Sequence, residues 1–276
     1  MTHQELPVDL ITLWLGPDLP LFLLLGVVAG LLAGLLGVGG GLIIVPALLW
    51  IFHSHGVDPA VLVHLSVGTS LTAIIGTSLA SIRAHQRRGA VRWPLVRVLV
   101  PGILAGAWIG AMLADLLPAL WLQRVVGCFA ILVGLQIAFK PRIHPHRELP
   151  GCLGMTLAGG AIGAVSAVVG IGGGSLTVPF LHWHNISLRN AVATSSACGL
   201  PIALAGAAGF LVSGWGASGL PPGSTGYIYW PVLPGIVMAA LLFAPLGARL
   251  AHTLPLRTLE KIFALLLLAV GTKLLL

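Results

Sequence analysis

Gly30-Leu-Leu-Ala-Gly-Leu-Leu-Gly37-Val-Gly39-Gly40-Gly41-Leu-Ile-Ile-Val-Pro46 is the stretch on which the reading of this chain turns. It is too apolar for a surface loop, yet four glycines crowd into Gly37–Gly41 at its centre. Each glycine in a helix interior costs about 0.8–1 kcal/mol relative to alanine. The run therefore encodes an interrupted helix. The pattern returns 133 residues later as Gly163 through Gly170-Ile-Gly172-Gly173-Gly174-Ser-Leu-Thr-Val-Pro179, again with a proline five residues past the last glycine. Further pairs continue the echo: Gly68-Thr69-Ser70 with Ala193-Thr194-Ser195, Pro101-Gly102-Ile103 with Pro234-Gly235-Ile236, and Gly110-Ala111 with Gly247-Ala248.

The surroundings identify the solvent. Hydrophobic residues make up 57% of the chain, charged residues 8%, and the mean hydropathy is +1.04. Soluble proteins carry about 25% charged residues, so this chain lacks the polar surface to coat a water-facing globule. Eight apolar segments follow, at 21–51, 57–82, 95–117, 121–139, 152–181, 188–213, 228–250 and 258–276. Six have ordinary spanning lengths, about 20 residues for a ~30 Å hydrocarbon core. The first and fifth, which hold the glycine clusters, are too long: Leu21–Ile51 as one helix would run about 47 Å. The expected fold is an all-α integral membrane protein of two homologous four-segment halves. The halves are 21–139 and 152–276, with an N-terminal segment 1–20 and a cytoplasmic linker 140–151. Residues 1–20 carry no Lys or Arg and read as retained rather than as a signal peptide.

The net charge of +7 sits in short loops, where it sets orientation in the bilayer; nucleic acid is not an expected partner. If all eight segments cross, Lys and Arg divide 9 to 5 at best. If the two long segments are re-entrant hairpins, the split becomes 12 to 2, with Arg124 and Lys273 alone on one side. The second arrangement obeys the positive-inside rule better and inverts one half relative to the other. Broken helices that cross fully explain the same glycines, and both arrangements stay open.

A helix restarting after a break presents unpaired N–H groups and its positive dipole end, which suit an anion. Gly39, Gly40, Gly41 and Gly172, Gly173, Gly174 are the candidate binding backbone, with Ser175 beside the second cluster. The competing reading is close helix packing through small residues. Thr69, Ser70, Thr194 and Ser195 occupy matching places one segment later and are the candidate hydroxyl donors; hydroxyls that merely bond their own helix carbonyls are the alternative. His64 is the candidate for proton coupling, against a buried neutral histidine bonded to a carbonyl. No Asp or Glu lies deep in a span. The His53/His55, His144/His146 and His182/His184 pairs lack carboxylate or Cys partners, so no metal, cofactor or catalytic residue is assigned. Gly102, Gly106 and Gly110, like Ala240, Ala244 and Ala248, form small-residue packing faces. Trp50, Trp93, Trp121, Trp183 and Trp230 mark the interfaces, and Ser213–Gly226 reads as an external loop. The matched interrupted segments in two repeats are the signature of a secondary transporter.

The duplicated G-x-G-G-G-x-x-x-x-P breaks, the Thr-Ser pairs, the Arg87-Arg-Gly-Ala-Val-Arg-Trp93 loop and Gly247-Ala248-Arg249 together resemble the TauE/SafE sulfite exporter family over essentially the whole chain. The resemblance implies a multi-pass permease or exporter of the cell membrane. Its expected solute is a small anion such as sulfite, thiosulfate, an organosulfonate or a related sulfur-containing or organic anion. Its implied partners are that solute, membrane lipid and a coupling ion (H+ or Na+), with a homodimer open. It does not fix the solute. A non-transporting assembly factor and an intramembrane enzyme remain the alternatives in other classes.

Overall fold

The computed structural model describes residues 18–36, 40–139, 148–250 and 257–275. The first apolar run is two helices, α1 (Leu19–Leu36) and α2 (Gly41–Ser54). The next three segments are single helices, α3 (Pro59–Gln86), α4 (Trp93–Asp115) and α5 (Ala119–Phe139). The fifth is again two, α6 (Cys152–Val169) and α7 (Gly174–Trp183), followed by α8 (Leu188–Ser213), α9 (Leu233–Leu250) and α10 (Arg257–Leu275). Among the described residues, six helices are long and apolar enough to cross a membrane: α3 to α6, α8, and α9 with the 3-10 turn Trp230–Val232 that leads into it. α7, with 10 residues, spans only about 15 Å.

Packing follows the small residues. α4 lies along α6, and α1 lies along α9, each pair in backbone contact. Gly106 of α4 abuts Gly160, while Gly110 abuts Ala164; Gly30 of α1 abuts Ala240 and Gly34 abuts Ala244. Both stripes named from the sequence are therefore packing faces, as small residues permit in lipid. α5 pairs with α10 at the outside of the bundle, and α3 and α8 pack together at its centre. α3 is the most enclosed of the spans. The five interfacial tryptophans all stand exposed at helix ends, the position an aromatic belt requires.

Capping sets the helix boundaries. Asp58 caps α3 by accepting from the Ala60 N–H at 2.9 Å, with Pro59 at the first helical position. Ser187 caps α8 through the Asn190 N–H. His55 Nδ1 meets the Ile51 carbonyl at the end of α2, and His184 Nδ1 meets the Phe180 carbonyl at the end of α7, both at 2.7 Å. These histidines finish helices, a role the HxH spacing could not reveal.

The segment after α8 is more than a surface loop. Ser224–Thr225 (β1) and Ile228–Tyr229 (β2) form a two-stranded antiparallel hairpin that folds back against α3. Tyr227 within it is buried, its N–H bonded to the Phe210 carbonyl at 3.1 Å. Sequence composition alone gave no sign of that inward fold.

Candidate functional site

The breaks form because glycine alone occupies the backbone they need. Gly40 (φ 78) and Gly173 (φ 73) are the N-cap residues of α2 and α7, both left-handed, a conformation costing about 1–2 kcal/mol for residues with a Cβ. Gly170 (φ 77) ends α6. Its N–H bonds the Ala167 carbonyl and that of Ile171 bonds the Ser166 carbonyl, the paired closure of a Schellman motif. Restarting is equally orderly. The Ile43 and Ile44 N–H groups both reach the Gly40 carbonyl, and those of Leu176 and Thr177 both reach the Gly173 carbonyl. Gly39 lies outside the described residues.

The two breaks touch. A Cβ on Gly41 would fall 2.5 Å from the Gly170 carbonyl oxygen and 2.9 Å from the Ile171 Cα. Ser70, from the middle of α3, donates to that same Gly170 carbonyl at 2.9 Å. The structure thus brings Gly40, Gly41, Ser70, Gly172, Gly173, Gly174 and Ser175 into one region, in which Ser70 and Ser175 are both buried.

The threonines are placed differently. Thr69 Oγ1 accepts from the Tyr229 N–H at 2.9 Å, and Thr194 Oγ1 accepts from the Arg92 N–H at 3.1 Å. Tyr229 immediately precedes Trp230-Pro231, and Arg92 immediately precedes Trp93-Pro94. Each threonine therefore holds the turn that opens a helix in the other half of the chain. The repeated Trp-Pro pair was the sequence signal for this crossed arrangement. Ser195 Oγ donates to the Val192 carbonyl at 2.8 Å, the helix back-bond that competes with a ligand role. Further along the pair, Ser81 and Ser196 bond each other at 3.0 Å.

His64 lies apart from the breaks. Its Nε2 is 3.1 Å from the Ala114 carbonyl, its Nδ1 has no partner, and its ring packs on Tyr227 at 5.0 Å. Burial, then the Asp115 carboxylate that accepts from its hydroxyl, push Tyr227 up to about 12. These contacts hold the ring against the Ala114 carbonyl and Tyr227.

Three further hydroxyls, Ser78, Ser166 and Thr177, join Ser175 in this region. Ser78, Ser166, Ser175 and Thr177 are buried, and none of their side-chain oxygens has a partner. Ser166 Oγ lies 3.3 Å from where a Cβ on Gly173 would sit. Ser78 Oγ and the Gly172 carbonyl oxygen lie 3.0 and 2.9 Å from the corresponding point on Gly199. Among the described residues no Lys, Arg, Asp or Glu side chain is buried. Neutral hydrogen-bond donors at a helix N-terminus can bind an anion reversibly; with no nucleophile–base pair among them, they offer little covalent chemistry.

Comparison with known proteins points to membrane transporters. The family model described as Sulfite exporter TauE/SafE matches residues 22–274. A probable membrane transporter protein of Haemophilus influenzae is 35% identical over 254 residues, covering 91% of this chain and 96% of its own length. The probable membrane transporter protein YunE of Bacillus subtilis is 26% identical over 275 residues, covering 92% and 96%. MJ0441 of Methanocaldococcus jannaschii, also a probable membrane transporter protein, is 28% identical over 64% of the chain. No solved structure gives a significant match. With nearly its full length matched, the chain belongs to the sulfite exporter TauE/SafE family of membrane transporters.

Proposed function

We propose that the protein is a multi-pass permease of the cytoplasmic membrane that carries a small anion, of the sulfite, organosulfonate or related organic class, by alternating access. The observation that carries this reading is the meeting of two interrupted helices, Gly41 against the Gly170 carbonyl, each restarting from a left-handed glycine. Interrupted helices meeting at a repeat interface are where secondary transporters bind solute. Here the halves are 21–139 and 152–276, joined by 140–151 and preceded by 1–20.

Re-entry of the interrupted segments is supported by their ends. Asp18, before α1, and His55, after α2, pair at 2.8 Å, so the first hairpin enters and leaves on one face. With that topology Arg83, Arg87, Arg88, Arg92, Arg97, Arg189 and Arg249 share the opposite, cytoplasmic face. Inversion is supported by crossed pairings: α1 with α9 mirrors α6 with α4, and Thr69–Tyr229 mirrors Thr194–Arg92. The two crossed threonine bonds tie a turn to each end of the central α3–α8 pair, where a rocking repeat would open one and hold the other.

Proteoliposomes loaded with sulfite, thiosulfate, sulfoacetate, taurine or simple carboxylates, with and without a pH gradient, test the proposal. Saturable flux of one or two of these solutes is the expected result, and dependence on the gradient separates coupled transport from facilitation. Absence of flux for every solute, from monodisperse protein, would overturn it in favour of a non-transporting membrane factor.

A further inference from the structure

The two breaks share a backbone but not a chemistry. The repeat offset of 133 residues pairs Ser166 with Ala33, Ser175 with Leu42 and Thr177 with Ile44. The offset that pairs Thr69 with Thr194 pairs Ser78 with Ala203. Each of these four unpartnered hydroxyls therefore has an apolar residue at its matching position. Ser166 and Thr177 are fully buried, Ser78 is 1% exposed and Ser175 is 8% exposed. A buried hydroxyl without a partner forfeits its hydration, and one such group is uncommon enough to require an explanation. Here there are four: Ser166 beside Gly173, Ser175 and Thr177 in the first turn of α7, and Ser78 beside Gly199, none with a hydroxyl at its matching position.

We propose that the chain carries a single ligand site, at the second break alone, that takes a small monoanion such as a sulfonate, while the first break is an apolar seat against which it closes. The assignment rests on the permease reading above and narrows its solute.

The positions argue for an anion. The Leu176 and Thr177 N–H groups both go to the Gly173 carbonyl, which leaves the N–H groups of Gly174 and Ser175 ahead of the first internal bond of α7. Ser166 reaches the same turn from α6, and Ser78 reaches the Gly172 carbonyl side from α3. N–H groups, hydroxyl donors and the positive end of the helix dipole thus converge on one short segment. The charge of the ligand follows from the donors, which are all neutral. No buried cation balances it among the described residues, and the cost of drying an ion rises with the square of its charge. Neutral donors can therefore strip a monoanion where a dianion such as sulfate would stay in water.

Charge-selective cysteine labelling of the full chain tests this without knowledge of the natural solute. In protein with Cys128, Cys152 and Cys198 replaced, Ser166→Cys and Thr177→Cys are compared with Ala33→Cys and Ile44→Cys. The reagents are an anionic and a cationic methanethiosulfonate, each normalised to its rate with a free thiol. The expected result is labelling at 166 and 177 about tenfold faster by the anionic reagent, the low end of what a site's field does to local ion concentration. Positions 33 and 44 stay unlabelled, and methanesulfonate protects the second break while equimolar sulfate does not. Equal labelling of both breaks, preference for the cationic reagent, or no labelling anywhere would overturn the site; equal protection by sulfate would overturn the charge. Should a cysteine variant fail to fold, Ser166→Ala and Thr177→Val replace it in a methanesulfonate-binding assay, where undiminished binding overturns the proposal. Asymmetric labelling without flux of any solute would instead reject the permease reading and leave the site standing.

Discussion

Gly40-Gly41-Leu-Ile-Ile and Gly173-Gly174-Ser-Leu-Thr build the same turn from opposite halves of the chain, with N-cap φ angles of 78 and 73. Their surroundings differ. At the first, Ala33, Leu42 and Ile44 are buried; at the second, the matching Ser166, Ser175 and Thr177 are buried with side-chain oxygens that have no partner. The two interruptions share a left-handed N-cap, and on the proposal above their side chains dedicate one to binding and the other to contact. Backbone conformation and ligand chemistry are separable properties here, and each can be perturbed alone.

The largest effect is expected where the breaks meet. Gly41→Leu would drive a side chain into the Gly170 carbonyl and the Ile171 backbone. Overpacking of this kind costs about 1–3 kcal/mol or more, and here it wedges apart the two helices whose contact defines the site. Flux should vanish and thermal stability in detergent should fall together. Wild-type flux in this variant would show that the breaks need not touch.

Thr177→Val against Ile44→Val sharpens the comparison. Removing an unsatisfied hydroxyl while keeping its shape relieves a penalty of roughly 1–3 kcal/mol. Thr177→Val should therefore raise the melting temperature of the solute-free protein while raising the half-saturation concentration for flux about tenfold, which is 1.4 kcal/mol of binding. Ile44→Val should do the reverse: lose about 0.5–1.5 kcal/mol of stability through a lost methylene and leave half-saturation unchanged. Opposite signs in the two halves are the test; parallel changes would mean the breaks are equivalent.

Much of this was legible beforehand because it rests on periodicity and on residues with singular physics. Glycine clusters, helix-length apolar runs and four-residue spacings such as Gly102, Gly106 and Gly110 announce helix breaks, spans and packing faces in any context. The roles of hydroxyls were not so legible. Thr69 and Ser70 are adjacent in sequence, yet one accepts from Tyr229 and the other donates to Gly170. Ser166 and Ser78 looked like ordinary small helix residues, since only the assembled bundle shows which hydroxyls lack partners. The inward fold of the Tyr227 hairpin was hidden because Gly/Ser/Pro composition marks a loop without saying where it goes.

Ser70→Ala probes the link between the halves at smaller cost. The bond it removes is a single neutral one, about 0.5–1.5 kcal/mol, with a further penalty if the Gly170 carbonyl stays unsatisfied. A modest fall in melting temperature with a few-fold change in flux is expected. A loss of flux as complete as that of Gly41→Leu would move Ser70 from support of the break to direct contact with the solute.

The smallest effect belongs to the histidines that end α2 and α7. His55 at the end of α2 pairs with Asp18, and its pKa is raised above 6.5, first by the Ile51 carbonyl and then by Asp18, against a desolvation penalty. His184 at the end of α7 bonds the Phe180 carbonyl and has no ion pair among the described residues. A histidine whose folded pKa is raised contributes stability that is complete below its unfolded value and is lost as pH climbs through the folded one. The His55 side chain is 48% exposed and Asp18 37%, so solvent screening holds the pair to about a few tenths of a kcal/mol. Asp18→Asn should therefore lower the melting temperature slightly at pH 5.5 and not at pH 9. An equal change at the two pH values would mean that the Asp18–His55 pair, despite its geometry, does not steady the end of α2.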